Sequence, residues 1–239
     1  MALWQRHDAT VVVVIPDADE ALWTALEGGT YGAAVSEYDQ GARKRVLSLC
    51  EAYYAIVIEE LLPMPVHATP ATLWEEFCTI LPSFPRFFVV YHHFRRLGWL
   101  VRPGLNYGAQ FVLYRGNADT YHSEYIVYVQ TEASSASWHV VQALTRLAED
   151  VKKTVLMCQV HETNDGQRSA NEHSAVDEPT LQLCAVYTFN GRMFVVDAVP
   201  IRFWDTATVD QDRVSYAFES QPMILKSRSK KKPKAKTKA

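Results

Sequence analysis

Apolar and polar positions along the chain follow two rhythms, and the rhythm changes near residue 83. Residues 1–41 are weakly patterned. Val11–Ile15 predicts a short strand, followed by a segment rich in Gly, Ala and Asp. From Arg43 to Leu62 the spacing is helical: Val46, Leu49, Cys50, Tyr53, Ile56, Val57 and Leu61 recur at three- and four-residue steps until Pro63 stops the run. A shorter helix follows around Leu73–Ile80. A third starts after Ser83, accepts Pro85 in its first turn, runs through Phe87, Val90, Tyr91 and Phe94, and closes at Gly98 behind Arg95 and Arg96. The pattern then turns to strands at Trp99–Arg102, Phe111–Arg115 and Glu124–Gln130, parted by Pro-Gly, Tyr-Gly and Gly-Asn turns. Trp138–Lys153 returns to helical spacing, with Val141, Leu144, Ala148 and Val151 on one side, and Thr154–Val160 reads as a buried strand. Residues 162–179 are polar and aperiodic, as in a mobile loop or insertion. Asn190-Gly191, between Leu181–Phe189 and Arg192–Val199, predicts a hairpin, and Ile201–Trp204 ends the ordered pattern. The expectation is a helical first part and a mixed α/β second part, without internal repeats.

Composition narrows the class. The 239 residues are 48% hydrophobic and 21% charged, which excludes a wholly disordered or collagen-like chain and is ample for a self-sufficient core. The longest aliphatic run, Val11–Ile15, is too short to cross a bilayer, and no signal-peptide pattern surrounds it. Cys50, Cys78, Cys158 and Cys184 are scattered without a Cys-x-x-Cys pair, which reads as reduced, mostly buried thiols in a soluble intracellular protein. The net charge of −3 conceals a split. Residues 226–239 hold eight Lys or Arg and no acid, leaving 16 basic against 27 acidic residues in the first 225, a net of −11. Such a run reads as a disordered basic tail: a nuclear import signal, a loose polyanion-binding arm, or a merely solubilising terminus in a cytoplasmic protein.

Familiar catalytic signatures are absent. There is no phosphate-binding Gly-rich loop, no dinucleotide fingerprint and no His-Glu-x-x-His. Adjacent His92 and His93 point about 100° apart on a helix and cannot jointly grip a metal, so they read as one partly buried and one exposed histidine. Asp150 and Lys152 make only an isolated Asp-x-Lys, and the strand-rich region lacks the clustered carboxylates of a two-metal nuclease. Charge is more informative. No acid lies between Glu76 and Asp119, while Arg86, Arg95, Arg96, Arg102 and Arg115 all do, which predicts an electropositive face for a polyanion. Tyr91, Trp99, Tyr107 and Tyr114 are interleaved there as candidate base-stacking rings, although most aromatics at such spacing are core.

The run FRRLGWLVRPGLNYGAQFVLYRGNADTYHSEYIVYV, Phe94 to Val129, is the sharpest signal. It carries Arg95, Arg96, Gly98, Trp99, Gly104, Leu105, Tyr107, Gly108, Leu113, Tyr114, Arg115, His122, Ser123 and Tyr125, and the pattern continues through VKKTVLMC at Val151–Cys158. In order and spacing this resembles the catalytic domain of the tRNA-splicing endonuclease family, specifically the eukaryotic catalytic subunit that cuts the 5′ splice site. The resemblance covers residues 84–160 well and 181–204 loosely. It implies an α/β (α+β) chain with a mostly helical N-terminal domain at 1–83 and a mixed-sheet, restriction-endonuclease-like catalytic domain at 84–208. A possible interface segment at 209–225 would follow, while the basic tail at 226–239 has no counterpart in the resemblance.

The resemblance also implies a site that uses no metal or other cofactor. Tyr114 takes the position that withdraws the 2′-hydroxyl proton, His122 that of the general acid to the departing 5′-oxygen, and Lys153 that of the cation offsetting charge on the phosphorane. The products would be a 2′,3′-cyclic phosphate and a 5′-hydroxyl, as from a tRNA-intron lyase. A free imidazole titrates near 6.5, which suits an acid at neutral pH, whereas a free phenol near 10 is a harder base and serves partly to orient the hydroxyl. Taken singly, these are a strand tyrosine, a loop histidine and a helix-capping lysine. Lys152 rivals Lys153, and Tyr107 rivals Tyr114. Arg146 matches the arginine that clamps a bulged base, with Trp204 as its aromatic companion, and Arg95, Arg96 and Arg115 complete the RNA-binding candidates. The implied partners are precursor tRNA, a second catalytic subunit and structural subunits in a heterotetramer, with no membrane insertion. Candidate interfaces are the hairpin 181–199 and Val209–Leu225. The alternatives are a non-catalytic scaffold subunit of the same assembly, or the same chemistry on mRNA or rRNA.

Overall fold

The computed structural model describes residues 3–7, 9–39, 42–118, 120–131, 137–163 and 183–201. Trp204, most of the polar stretch 162–179, the segment 209–225 and the basic run 226–239 lie outside them. Within the described residues the class is the expected α+β, built on two sheets joined through helices.

The first sheet has the order β1-β2-β4-β3, from β1 (Leu3–His7), β2 (Thr10–Pro16), β3 (Ala33–Asp39) and β4 (Ala42–Ser48), all antiparallel. Its inner face buries Val11, Val13, Ile15 and Leu47 with Leu26 of helix α1 (Glu20–Gly28). This corrects the reading of residues 43–62 as one helix and of the first part as mostly helical. Residues 42–48 are a strand because Arg45 and Leu47 alternate inward at period two. Helix α2 (Leu49–Tyr53) begins only where Ser48 and Glu51 form a capping box. The Glu51 N–H donates to Ser48 Oγ at 3.3 Å, and the Ser48 N–H donates to the Glu51 carboxylate at 2.8 Å. A π-helical turn, Tyr54–Ile58, completes it.

Helix α3 (Pro70–Ile80) and helix α4 (Phe84–Arg96) match their expected spans, and α4 is the centre of the molecule. It is covered by α2 and α3 on one side and by the second sheet on the other, so Phe88 to Phe94 are all buried. The second sheet runs β5-β6-β7-β8-β10-β9. Its strands are β5 (Leu100–Pro103), β6 (Phe111–Tyr114), β7 (Tyr125–Val129), β8 (Thr154–Thr163), β9 (Leu183–Phe189) and β10 (Arg192–Ile201). Only β7 and β8 pair in parallel, joined across helix α5 (Trp138–Asp150). Alternation divides this sheet between two cores. Leu113, Val127, Leu156 and Phe194 face α4, whereas Val112, Ile126, Val155 and Met157 face α5. The β9–β10 hairpin is as expected, with φ positive at both Asn190 (49°) and Gly191 (72°), as a type I′ turn requires. Among the described residues no helix is long and apolar enough to cross a membrane.

The double cover of α4 overturns the expectation of one exposed histidine. His92 and His93 are 7% and 2% exposed. His93 Nδ1 is 2.8 Å from the Tyr187 hydroxyl, and the His92 ring packs against Tyr54, Phe88, Tyr187 and Phe189. Burial pushes both rings down to about 4, with Arg96 adding to the effect at His92. Both are therefore neutral in the native state, while the unfolded chain takes up their protons below about 6.5. This contribution to stability is complete above that pH and is lost as pH falls from 6.5 towards 4, reaching about 2 kcal/mol per ring at pH 5. Urea unfolding at pH 7.5 and 5.0 measures it. A His92→Phe chain, which keeps the ring contacts, should lose less stability over that interval than wild type, and equal losses would place the acid sensitivity elsewhere.

Candidate active site

Strand register gathers the expected site at one end of the second sheet. Leu113 of β6 pairs with Tyr125 of β7, which pairs with Thr154 of β8. Tyr114 is the next residue after Leu113, His122 lies three residues before Tyr125, and Lys153 immediately precedes Thr154. All three leave the same edge of three adjacent strands. Tyr114 is half-buried against the α5-facing core, and His122 is exposed on the β6–β7 loop.

That loop is tied at its neck. Arg115 and Glu124, at its two ends, form an ion pair, and the Glu124 N–H donates to the Leu113 carbonyl at 2.9 Å. The N–H groups of Thr120 and Tyr121 both donate to the Asn117 carbonyl at 3.0 Å. Ser123 beside His122 is buried.

Lys153 reaches the site through the way α5 ends. Lys152 adopts a left-handed φ of 54°; its N–H donates to the Glu149 carbonyl at 3.0 Å and the Lys153 N–H to the Ala148 carbonyl at 2.8 Å. This Schellman turn satisfies two terminal carbonyls and turns the chain back into the sheet. It separates the rival lysines: Lys152 is exposed, whereas half-buried Lys153 donates from Nζ to the Ser123 carbonyl at 2.6 Å. Burial lowers the Lys153 pKa. Among the described residues no carboxylate lies within ion-pair distance of this ammonium, and its other close neighbour is the Tyr107 ring, 5.7 Å from Nζ to the centroid. No group of three or more His, Cys, Asp or Glu among the described residues is placed to hold a metal ion.

The RNA-binding candidates divide. Arg146 is exposed on α5, and Arg96 is exposed with its guanidinium 6.0 Å over the Tyr187 ring. Arg95 is a correction: its side chain is only 8% exposed and is fully engaged inside the protein. It donates to the Gly29 carbonyl at 2.9 Å and to the Tyr31 hydroxyl at 2.8 Å, and pairs with Glu59 at 3.3 Å. Arg115, half-buried, pairs with Glu124 and lies over the Trp99 ring. Tyr91 and Trp99 are core residues, which removes them as stacking rings. Sequence reasoning missed the loop clamp, although Arg115 and Glu124 are opposite charges at the two ends of a polar loop.

Residues 84–167 match the family model described as tRNA intron endonuclease, catalytic C-terminal domain. The match starts at the first residue of α4 and includes Tyr114, His122 and Lys153. The chain is 32% identical over 123 residues to mouse (Mus musculus) tRNA-splicing endonuclease subunit Sen2, covering 47% of this chain and 27% of the relative. It is 40% identical over 88 residues to Arabidopsis thaliana subunit Sen2-2, covering 36% and 35%. It is 35% identical over 78 residues to the tRNA-splicing endonuclease of Pyrococcus abyssi, covering 33% and 45%. These matches support the tRNA-splicing endonuclease family. The alignment spans about a quarter of the mouse Sen2 relative, and the N-terminal sheet lies outside the tRNA intron endonuclease match.

The engagement of Arg95 separates architecture from RNA contact. Arg95→Ala should destabilise the chain by about 1–3 kcal/mol, because it strips the buried Tyr31 hydroxyl and the half-buried Gly29 carbonyl of their donor. Arg96→Ala should stay within about 0.5 kcal/mol of wild type in the same urea unfolding measurement. Equal effects would contradict the hub role of Arg95.

Proposed function

We propose that this chain is a catalytic subunit of a tRNA-splicing endonuclease that cleaves precursor tRNA at the 5′ splice site. The observation that carries the reading is the convergence of Tyr114, His122 and Lys153 at one end of three adjacent strands, with Lys153 held, among the described residues, by a carbonyl and an aromatic ring. The nucleophile is the substrate's own 2′-oxygen, so the protein has to position and protonate rather than supply an attacking group. Tyr114 accepts or orients the 2′-hydroxyl proton as that oxygen attacks the adjacent phosphorus. Lys153 stabilises the added negative charge on the phosphorane oxygens. His122 gives a proton to the 5′-oxygen as its bond to phosphorus breaks, leaving a 2′,3′-cyclic phosphate and a 5′-hydroxyl. The chemistry draws on no metal-bound water.

The catalytic module in this reading is residues 84–208. A second catalytic subunit and structural subunits complete a heterotetramer, the hairpin 181–199 and the segment 209–225 supply interfaces, and Arg146 with Trp204 grips a bulged base. The basic run 226–239 directs the chain to the nucleus.

Cleavage of an intron-containing precursor tRNA by the affinity-purified assembly in EDTA tests the proposal. His122→Ala should slow the 5′-site cut by about 10² to 10⁴-fold while the 3′-site cut persists. Unchanged 5′ cutting would make the chain a scaffold subunit, and loss of wild-type activity in EDTA would overturn the metal-independent chemistry.

A further inference from the structure

Resting on that role for Lys153, we propose that Tyr107 is a positioning residue: its ring face holds the Lys153 ammonium at the reacting phosphate without neutralising it. The placement of Tyr107 is built into the backbone. Leu105–Tyr107 form a 3₁₀ turn, closed by the Tyr107 and Ala109 N–H groups donating to the Gly104 carbonyl at 2.9 and 3.2 Å. The Gly104 N–H donates to the Gln110 carbonyl at 2.9 Å, folding the turn onto the start of β6. A Cβ at position 104 would lie 2.8 Å from the Phe111 backbone, so only glycine permits this approach. The Tyr107 ring is half-buried against the same cluster that packs Tyr114 and Val151, so it is not free to swing away.

Lys153 needs such a support. A lysine has four flexible side-chain torsions, and fixing its ammonium opposes the rotamer entropy of all four. The Ser123 carbonyl fixes one N–H, at 2.6 Å, and the Tyr107 ring lies under the same ammonium at 5.7 Å. That distance is within the roughly 6 Å range in which a ring quadrupole attracts a cation. Both partners are neutral. A carboxylate in either place would hold the lysine more strongly, but it would cancel the charge that an incoming phosphate requires and would repel the phosphate itself. Burial works against the charged ammonium, and the ring face and carbonyl offset that penalty while leaving the full positive charge for substrate. The interaction uses the ring face and not the hydroxyl, which distinguishes it from any acid-base role for Tyr107.

The test is a double-mutant cycle on single-turnover 5′-site cleavage by the full assembly. Tyr107→Phe should stay within about twofold of wild type, while Tyr107→Leu should lower the rate about 3- to 30-fold with little change in the substrate concentration giving half the maximal rate. In a Lys153→Ala background, Tyr107→Leu should cost nothing further. If Tyr107→Leu does not assemble, Tyr107→Met replaces it in the cycle. A leucine effect that persists undiminished without Lys153, or a Tyr107→Phe loss as large as the leucine one, overturns the inference. So does a wild-type rate for Tyr107→Leu when Lys153→Ala is inactive, an outcome that leaves the reading of Lys153 standing. Wild-type cleavage by Lys153→Ala overturns that reading, and the inference with it.

Discussion

A helix covered on both sides has to find partners for its buried charge inside the protein, and α4 imposes that constraint on the whole molecule. Arg95 is the group on which the N-terminal sheet depends. Its guanidinium bonds the Gly29 carbonyl and the Tyr31 hydroxyl, pairs with Glu59, and lies over the Tyr31 and Tyr54 rings at 4.7 and 5.3 Å. The turn it meets is closed from the other side as well. Arg45 Nε donates to the Tyr31 carbonyl at 2.9 Å, and the Gly32 N–H donates to Glu51 at 3.0 Å. One short turn between α1 and β3 is thus bonded to β4, α2 and α4 together, which locks the first sheet to the helix that backs the second. His93 does the corresponding work on the far side by meeting Tyr187 of β9.

The second sheet carries that rigidity to the candidate site. Its α4 face is core, and its α5 face is core along β6, β7 and β8 but leaves Val186 and Val199 of the β9–β10 hairpin exposed. At the strand ends the chain has to turn, and each turn brings one group forward: the end of β6 offers Tyr114, the clamped loop before β7 offers His122, and the Schellman turn before β8 offers Lys153. Groups on three neighbouring strand ends move together only if the strands do, so the shared register is what makes their arrangement durable.

From Phe84 onward most of this was legible in the sequence, because Pro85, Gly98, the Pro-Gly and Tyr-Gly turns and Asn190-Gly191 punctuate the chain where elements change. The first 83 residues were harder. Val46, Leu49 and Cys50 satisfy helical spacing, yet Val46 belongs to a strand and the other two to a helix. Ser48-x-x-Glu51 was the visible signal of the boundary between them. The histidine pair was misjudged because periodicity on one helix says how far apart two side chains point, not how many neighbours pack around that helix. The clamp on the His122 loop was hidden for a similar reason, since Arg115 and Glu124 are nine residues apart and meet only when β6 and β7 pair.

The same distinction changes the electrostatics. The acid-free stretch between Glu76 and Asp119 suggested a broad positive face, but two of its five arginines, Arg95 and Arg115, are neutralised by Glu59 and Glu124 from outside that stretch. Positive charge for a polyanion is therefore more local than the linear count implies. Lys153 is the cation at the strand ends whose nearest partners, a carbonyl and an aromatic ring, leave its charge intact. In a body of net −11, Lys153 keeps an ammonium without a carboxylate partner among the described residues, close to the exposed His122 loop. The positive charge at the shared end of β6, β7 and β8 is thus set by local pairing rather than by the linear count of basic residues.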